Sequence, residues 1–375
     1  MWIYLSGNDV FTYFSTSFKS LAEYRGCIQS FIINAQLKKH YLLLSFLLVL
    51  AFLLNLSIGS VKIPLADVFD VLIGKDIEHT SWRNIILSFR LPRAITAVAA
   101  GMGLSLSGLF MQTYFRNPLA GPFVLGISSG ASLGVAVVVL GGLGLASFFP
   151  TINPGNWGII SGSVLGALLV FSVVLFFSNK VNNNTSLLII GLMFSSATSS
   201  VVSILQYFST PENIQSYLIW TFGDLGGVTR EELVILVPVM TVAILLSVFM
   251  IKPLNILQLG ELYAKNAGLN IKKARYGIIF LTALLAGTIT AFCGPIAFIG
   301  LAVPHIARMI VDSTDHSKIL PVTAFAGAII LLICDIGSRL PGFTQTLPLN
   351  AVTSLFGGPL VIWLIIKRKN IQSNF

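Results

Sequence analysis

The sequence predicts an all-α polytopic membrane protein with ten transmembrane helices. Three observations carry this reading. Of 375 residues, 55% are hydrophobic and only 10% charged. Mean hydropathy is +0.87. Apolar runs long enough to cross a bilayer recur along the chain, with the charges gathered between them. A soluble domain carries about 25% charged residues. So few charges cannot cover a water-facing surface, which excludes a cytosolic enzyme, a nucleic-acid binder and a disulfide-stapled secreted domain. The net charge of +9 therefore reads as loop charge that sets orientation. Cys27, Cys293 and Cys334 lie far apart without CxxC spacing, so neither a metal site nor a disulfide framework is expected.

Residues 1–40 mix polar and aromatic side chains and lack the basic start, compact apolar core and cleavage site of a signal peptide. They read as a cytoplasmic extension, either an interfacial helix or an addition of little function. A crossing takes about 20 apolar residues. Clear runs lie near 42–60, 94–114, 123–145, 158–178, 186–208, 232–251, 276–293, 319–337 and 349–366. The stretch 295–311 is a further candidate, interrupted by Pro295 and Pro304, and reads as a broken crossing or a re-entrant segment. Charge decides between them. Lys38 and Lys39 precede the first run, and Lys367, Arg368 and Lys369 follow the last. Both termini are then cytoplasmic, the number of crossings is even, and 295–311 counts as the tenth. The membrane domain spans 41–369 and a short tail 370–375.

In this arrangement most of the 23 basic residues fall on the cytoplasmic side. The exceptions are Lys62, Lys75, Arg83, Arg90, Arg93, Arg230 and Arg339. Five of them share the external loop 61–93 with Asp67, Asp70, Asp76 and Glu78, a mixed solvated face. Arg90 and Arg93 flank Leu91-Pro92 at the mouth of the second span, and Arg339 lies at the end of the ninth. Guanidinium groups pair bidentately with carboxylates, so an acidic partner docking outside explains their position. Snorkelling to headgroups explains any single one.

Glycine is abundant, at 33 residues. In membranes small residues let helices approach closely. Ala100-Gly101 with Gly108 in the second span, and Ala286-Gly287 with Gly294 in the seventh, share one spacing in opposed directions. This points to an inverted repeat, spans 2–5 against 7–10. Ordinary small-residue packing accounts for it equally well.

Some chemistry is missing. The sequence holds no GxxxxGK[ST], HExxH or GxSxG motif. His40, His79, His305 and His316 are not at metal-ligand spacing, and His305 beside Pro304 reads as a packing or helix-end residue. No charged residue falls at mid-bilayer depth, and Asp335 sits near an external helix end. Ion-coupled carriers usually need such a residue. Ser195, Ser196, Thr198, Ser199 and Ser200 in the fifth span either line a polar passage or bond between helices. The chain thus reads as a passage whose energy comes from a partner. An ion-driven carrier is the runner-up. Inside, the loop 252–275 carries Leu254, Leu257, Leu259, Leu262 and Ala264 at helical spacing, with turns at Gly260-Glu261 and Gly268-Leu269-Asn270. Two short helices joined at a glycine would form a protruding docking knob.

Several motifs in fixed order carry a family resemblance. They are Arg90-Leu91-Pro92-Arg93, Ala100-Gly101, Leu106-Ser107-Gly108, Gln112, Arg116-Asn117-Pro118-Leu119-Ala120, Pro122, Leu125-Gly126 and Ser128-Ser129-Gly130-Ala131. They continue with Gly294-Pro295-Ile296-Ala297-Phe298-Ile299-Gly300-Leu301, Val303-Pro304-His305-Ile306-Ala307-Arg308, Gly357-Gly358-Pro359 and Trp363-Leu364. Over 42–369 the chain resembles the permease subunits of ABC importers for iron–siderophores, haem and vitamin B12. The resemblance implies ten helices in inverted halves and a dimer, homodimeric or heterodimeric, around one passage. It implies two ATPase subunits inside, which hold ATP and magnesium so that this chain binds no cofactor or metal. A periplasmic or lipid-anchored binding protein would dock outside a bacterial inner membrane. By motif, Arg90, Arg93 and Arg339 match the arginines that meet glutamates of the binding protein. Leu259, Gly260, Glu261, Ala264 and Gly268 match the helices that seat on the ATPase. Asn184 and Thr185 align with the cytoplasmic gate, where small hydroxylated residues are usual and Asn184 departs from that pattern. Gly101, Gly108, Asn117, Pro118, Gly294, Pro295, Gly300 and Pro304 are the structural motif positions. Iron–siderophore is the expected cargo, with haem and vitamin B12 as alternatives.

Overall fold

The computed structural model describes residues 38–75, 77, 79–141, 156–180, 184–339 and 346–367. The proposed extension 1–40, apart from its last three residues, and the tail 370–375 lie outside them. All regular structure among the described residues is helical. The helices are α1 (Lys38–Ser57), α2 (Leu65–Ile73), α3 (Thr80–Phe115), α4 (Ile127–Leu140), α5 (Asn156–Lys180), α6 (Asn184–Tyr207) and α7 (Pro211–Thr221). They continue as α8 (Arg230–Leu257), α9 (Glu261–Asn266), α10 (Ile271–Cys293), α11 (Ile299–Val311), α12 (His316–Ser338) and α13 (Leu349–Lys367).

The expected spans fall into two classes. Seven described helices are long and apolar enough to cross: α1, α3, most of α5, most of α6, α8, α10 and α12. Three, α4, α11 and Leu349–Trp363 of α13, are shorter apolar helices. The cause of the shortening is visible at α4 and α11. Before α4 the chain leaves the helix at Arg116, makes a 3-10 turn over Pro122–Leu125 and re-enters through Gly126 at φ 74°. The third span, read from sequence as one run over 123–145, is therefore broken. Before α11 the break lies at 294–298, with Gly294 at φ 74° and Phe298 at φ 66°. Pro304, expected to interrupt the crossing, sits inside α11 instead.

Two other boundaries differ from the sequence reading. The loop 61–93 is helical from Thr80, so Arg90 and Arg93 lie within α3 and not ahead of it. A π-helical stretch, Ile85–Arg90, precedes Pro92, and its wider turn accommodates the proline ring that an α-turn would obstruct. Likewise α8 does not stop near 251. A 3-10 turn at Val248–Met250 carries it past Pro253 to Leu257.

α3 is the axis of the packing. It is buried along most of its length and lies against α8, α10, α11 and α12. Close approach explains two glycine pairs. A Cβ on Gly101 would overlap the Gly327 carbonyl of α12, and one on Gly108 would overlap the Gly300 carbonyl of α11. α4 packs against α5 and α6. By contrast α1, α6 and α8 leave broad apolar faces exposed, as helices facing hydrocarbon do.

Candidate functional site

Two features lie far apart on α3. In its first half Arg90 and Arg93 meet Arg339 around a cavity of about 360 Å³, together with Gly59, Phe89, Gly226 and Thr346. α3 presents the first two from successive turns, and Arg339 follows the last residue of α12. At their centre is the fully buried carboxylate of Asp335. Arg93 Nε donates to its Oδ1 at 2.7 Å. Arg339 Nη2 and Asn55 Nδ2 both donate to Oδ2, the latter at 2.8 Å. Two cations and an amide thus satisfy one buried anion, the condition under which a buried charge is tolerated.

The remaining donors tie down the end of α1. Arg90 Nη1 reaches the Leu56 and Ser57 carbonyls at 2.7 and 2.8 Å, and its Nη2 reaches that of Val61. Arg339 Nη1 donates to the carbonyls of Asn55 and Ile58 at 3.1 and 3.2 Å. The last carbonyls of a helix lack intrahelical partners and favour cations, so two guanidiniums act as its C-terminal cap. Burial holds the Arg339 guanidinium below its ordinary pKa and Arg93 adds to this, while Asp335 opposes it. The three expected docking arginines are therefore brought together, but Arg90 and Arg339 are buried and bonded to their own chain. Arg93 also lies 3.7 Å from the exposed Asp224.

At the C-terminal end of α3 the chain builds the knob. Its first helix is the end of α8 and not a separate element, so the knob begins after Leu257. Gly260, at φ 121°, turns the chain into α9, and a Cβ there would come within 2.9 Å of Arg116 Nη2. That guanidinium donates to the carbonyls of Leu257 and Gln258 at 3.0 and 3.3 Å. α9 ends in a Schellman motif. The Leu269 N–H reaches the Ala264 carbonyl at 3.0 Å, the Gly268 N–H reaches that of Lys265 at 3.1 Å, and Gly268 takes φ 83°. Ala264 is buried, whereas Leu259, Leu262 and Tyr263 are exposed, Leu262 to 83%. Glu261 lies 3.8 Å from Arg275, which also donates to the Ser178 carbonyl.

Residues 47–367 match the FecCD transport family. The chain belongs to that family. Among curated FecCD relatives, the hemin transport system permease protein HmuU of Yersinia pestis is 34% identical over 337 residues, which is 88% of this chain and 97% of HmuU. The vitamin B12 import system permease protein BtuC of Shigella boydii is 34% identical over 331 residues, 88% and 95% of the two chains. Among solved structures, an inward-facing conformation of a putative metal-chelate type ABC transporter superposes with TM-score 0.77 at 29% identity, covering 88% of this chain and 99% of that one. PsaBC from Streptococcus pneumoniae shares the fold at TM-score 0.50 and 17% identity, over 80% and 95%. A FecCD chain is a transport permease and an integral membrane protein.

Other expected FecCD motif residues are placed as follows. Asn117 Oδ1 accepts from the Leu119 N–H at 2.9 Å, and the Pro118 carbonyl, in the turn after α3, accepts from His305 Nε2 of α11 at 2.8 Å. Pro295 lies in the break before α11, beside Gly223. α6 begins at Asn184, and the side chains of the proposed gate residues Asn184 and Thr185 lie outside the described residues. The fifth-span hydroxyls bond within their own helix: Ser195 to the Gly191 carbonyl, Thr198 to that of Phe194 and Ser200 to that of Ser196. Ser196, Ser199 and Ser200 are exposed. Sequence reasoning on this FecCD chain missed Asn55 and Asn255. Asn55 is a single polar residue inside an apolar run, and that anomaly was the available signal, whereas Asn255 lies between Lys252 and Gln258 and carried none.

Proposed function

We propose that this chain is the permease subunit of an ATP-driven importer that moves an iron chelate, siderophore or haem, across the bacterial cytoplasmic membrane. The observation that carries the reading is the pairing of two built features on one buried helix: an arginine-lined cavity at Arg90 and Arg93 of α3 and a glycine-turned knob with exposed Leu259, Leu262 and Tyr263 at its C-terminal end. An acidic binding protein would dock at the cavity, led by Arg93. An ATPase subunit would seat on α9. The chain has no phosphate-binding motif of its own, and the matched permeases are named for hemin and vitamin B12 import. Two copies around one passage, cytoplasmic termini and spans 2–5 related to 7–10 by inverted repeat complete the proposal. The exposed hydroxyls of α6 would line the passage, gated near Asn184 and Thr185. A wide, weakly polar passage suits a bulky chelate, with movement passed on as rigid-body motion.

Vitamin B12 is the second reading, supported by the likeness to BtuC. The test is uptake by proteoliposomes holding the permease, its ATPase and its binding protein, offered labelled ferric siderophore, haemin and cobalamin. ATP-dependent accumulation of an iron chelate is expected. Uptake without ATP that collapses with an uncoupler would instead establish an ion-driven carrier. Accumulation of cobalamin alone would select the second reading.

A further inference from the structure

α3 and α12 lie antiparallel and are fastened in one register along their shared length. Moving along α3 from Arg93 to Gly101, Ser105 and Thr113 steps α12 back from Asp335 to Gly327, Thr323 and His316. Each step is a direct contact. Arg93 meets Asp335 at 2.7 Å and Ser105 Oγ donates to the Thr323 carbonyl at 3.0 Å. Gly101 and Gly327 bring the two backbones together, and Thr113 Oγ1 lies 2.9 Å from His316 Nε2. From Arg93 to Thr113 the pair runs about 30 Å at 1.5 Å per residue. Close-packed helices fixed at both ends and in the middle resist sliding.

The knob end of this pair is keyed to α8 by one amide. Asn255 Nδ2 donates to Asp315 Oδ1 at 2.7 Å, while Asn255 Oδ1 accepts from the His316 N–H at 2.8 Å and faces His316 Nδ1 at 2.7 Å. A carboxylate only accepts and a backbone N–H only donates, so these partners fix which way the amide points. That in turn places a proton on His316 Nδ1, while Nε2 shares a hydrogen bond with Thr113 Oγ1, whose hydroxyl also donates to the Leu109 carbonyl at 2.9 Å. A chain of bonds thus runs from α8 through α12 to α3, two residues before α8 ends and the knob begins. The Asp315 carboxyl is held below the usual range: burial pushes it up, but the hydroxyl and N–H of Ser317, the Asn255 amide and Lys318 together outweigh it.

We propose that α3 and α12 move as one strut, and that Asn255, His316 and Thr113 are positioning residues that key the knob to it. Displacement of α9 is then delivered to the arginine cavity, about 35 Å away along α3. This rests on the reading of α9 as the ATPase seat. None of the three residues touches a partner in that reading, so their role is in coupling and not in docking.

The test uses the full permease reconstituted with its ATPase and binding protein. The readout is ATP hydrolysed per labelled chelate imported, with whichever of ferric siderophore, haemin or cobalamin the wild type accepts. Thr113→Val keeps the side-chain shape and cuts the chain at α3. Asn255→Leu cuts it at α8. Val174→Ala, at a buried position of α5 away from the pair, controls for general loss of stability. Both keyed variants are expected to retain bound ATPase while ATP per chelate rises roughly fivefold, the scale of a lost coupling contact. An unchanged ratio in Thr113→Val overturns the strut, as does an equal rise in Val174→Ala. A wild-type chain that neither binds an ATPase nor imports overturns the underlying reading and the strut with it.

Discussion

Arg93 and Asp335, 242 residues apart in sequence, form a 2.7 Å ion pair in which the carboxylate is wholly buried. The pair fastens α3, just after its Pro92, onto the C-terminal end of α12. Its second oxygen is held by Arg339 and Asn55, so this carboxylate organises the whole arginine cluster.

Asp335→Asn is therefore expected to cost about 3 kcal/mol, because removing one partner leaves buried guanidiniums uncompensated. Thermal unfolding in detergent, followed by tryptophan fluorescence, should show a clear drop in Tm. A Tm within a degree of wild type would show that water, and not Asp335, neutralises the cluster.

The arginines should separate by role. Arg90→Lys loses the fork that spans the Leu56, Ser57 and Val61 carbonyls and should destabilise by about 1–2 kcal/mol, while leaving binding-protein affinity nearly intact in folded material. Arg93→Glu also sets a carboxylate beside buried Asp335 and should destabilise, but in folded material it should weaken binding-protein capture at least about tenfold, since charge reversal sets like charges together across an interface. Surface plasmon resonance on nanodisc-held permease distinguishes the two. Equal affinity losses would remove the division.

Leu262 is exposed to 83%. Leu262→Asp should change unfolding free energy by less than about 0.5 kcal/mol. It should also abolish co-purification of the ATPase. Retention of the ATPase would place its seat elsewhere.

Gly108→Val drives side-chain atoms into the Gly300 carbonyl of α11, a backbone group that cannot swing away. The expected loss exceeds the roughly 1–3 kcal/mol of ordinary overpacking, and expression in the membrane should fall steeply. Gly121→Val, where a Cβ meets open space, serves as the contrast.

Much of the fold was legible because membrane helices are written locally, as unbroken apolar composition. The knob was legible too, since Gly260 and Gly268 punctuate it. The start of α3 was not: Thr80, Arg83 and Asn84 read as loop, and since none of them is buried no apolar pattern marks the turn. The break before α4 hid behind apolar residues, Phe123 to Leu125, that look the same in a 3-10 turn as in an α-helix. The arginine cluster was legible as three misplaced charges, but its anion was not. Asp335 lies far along the chain from Arg93, and no spacing rule links them. The contact between Asn255 and His316 escaped notice for the same reason.

α8 carries its own consequence. Its 28 residues make a rod of about 42 Å, against a hydrocarbon core of about 30 Å. Roughly two turns must stand in the headgroup layer or beyond it. Lys252 and Asn255 fall on those turns, where water softens the penalty for polar groups. The knob is therefore mounted on a protruding axle and does not hang from a slack loop. In the proposed coupling, a push on Leu262 would travel into the bilayer along a shaft whose end is braced by Arg116.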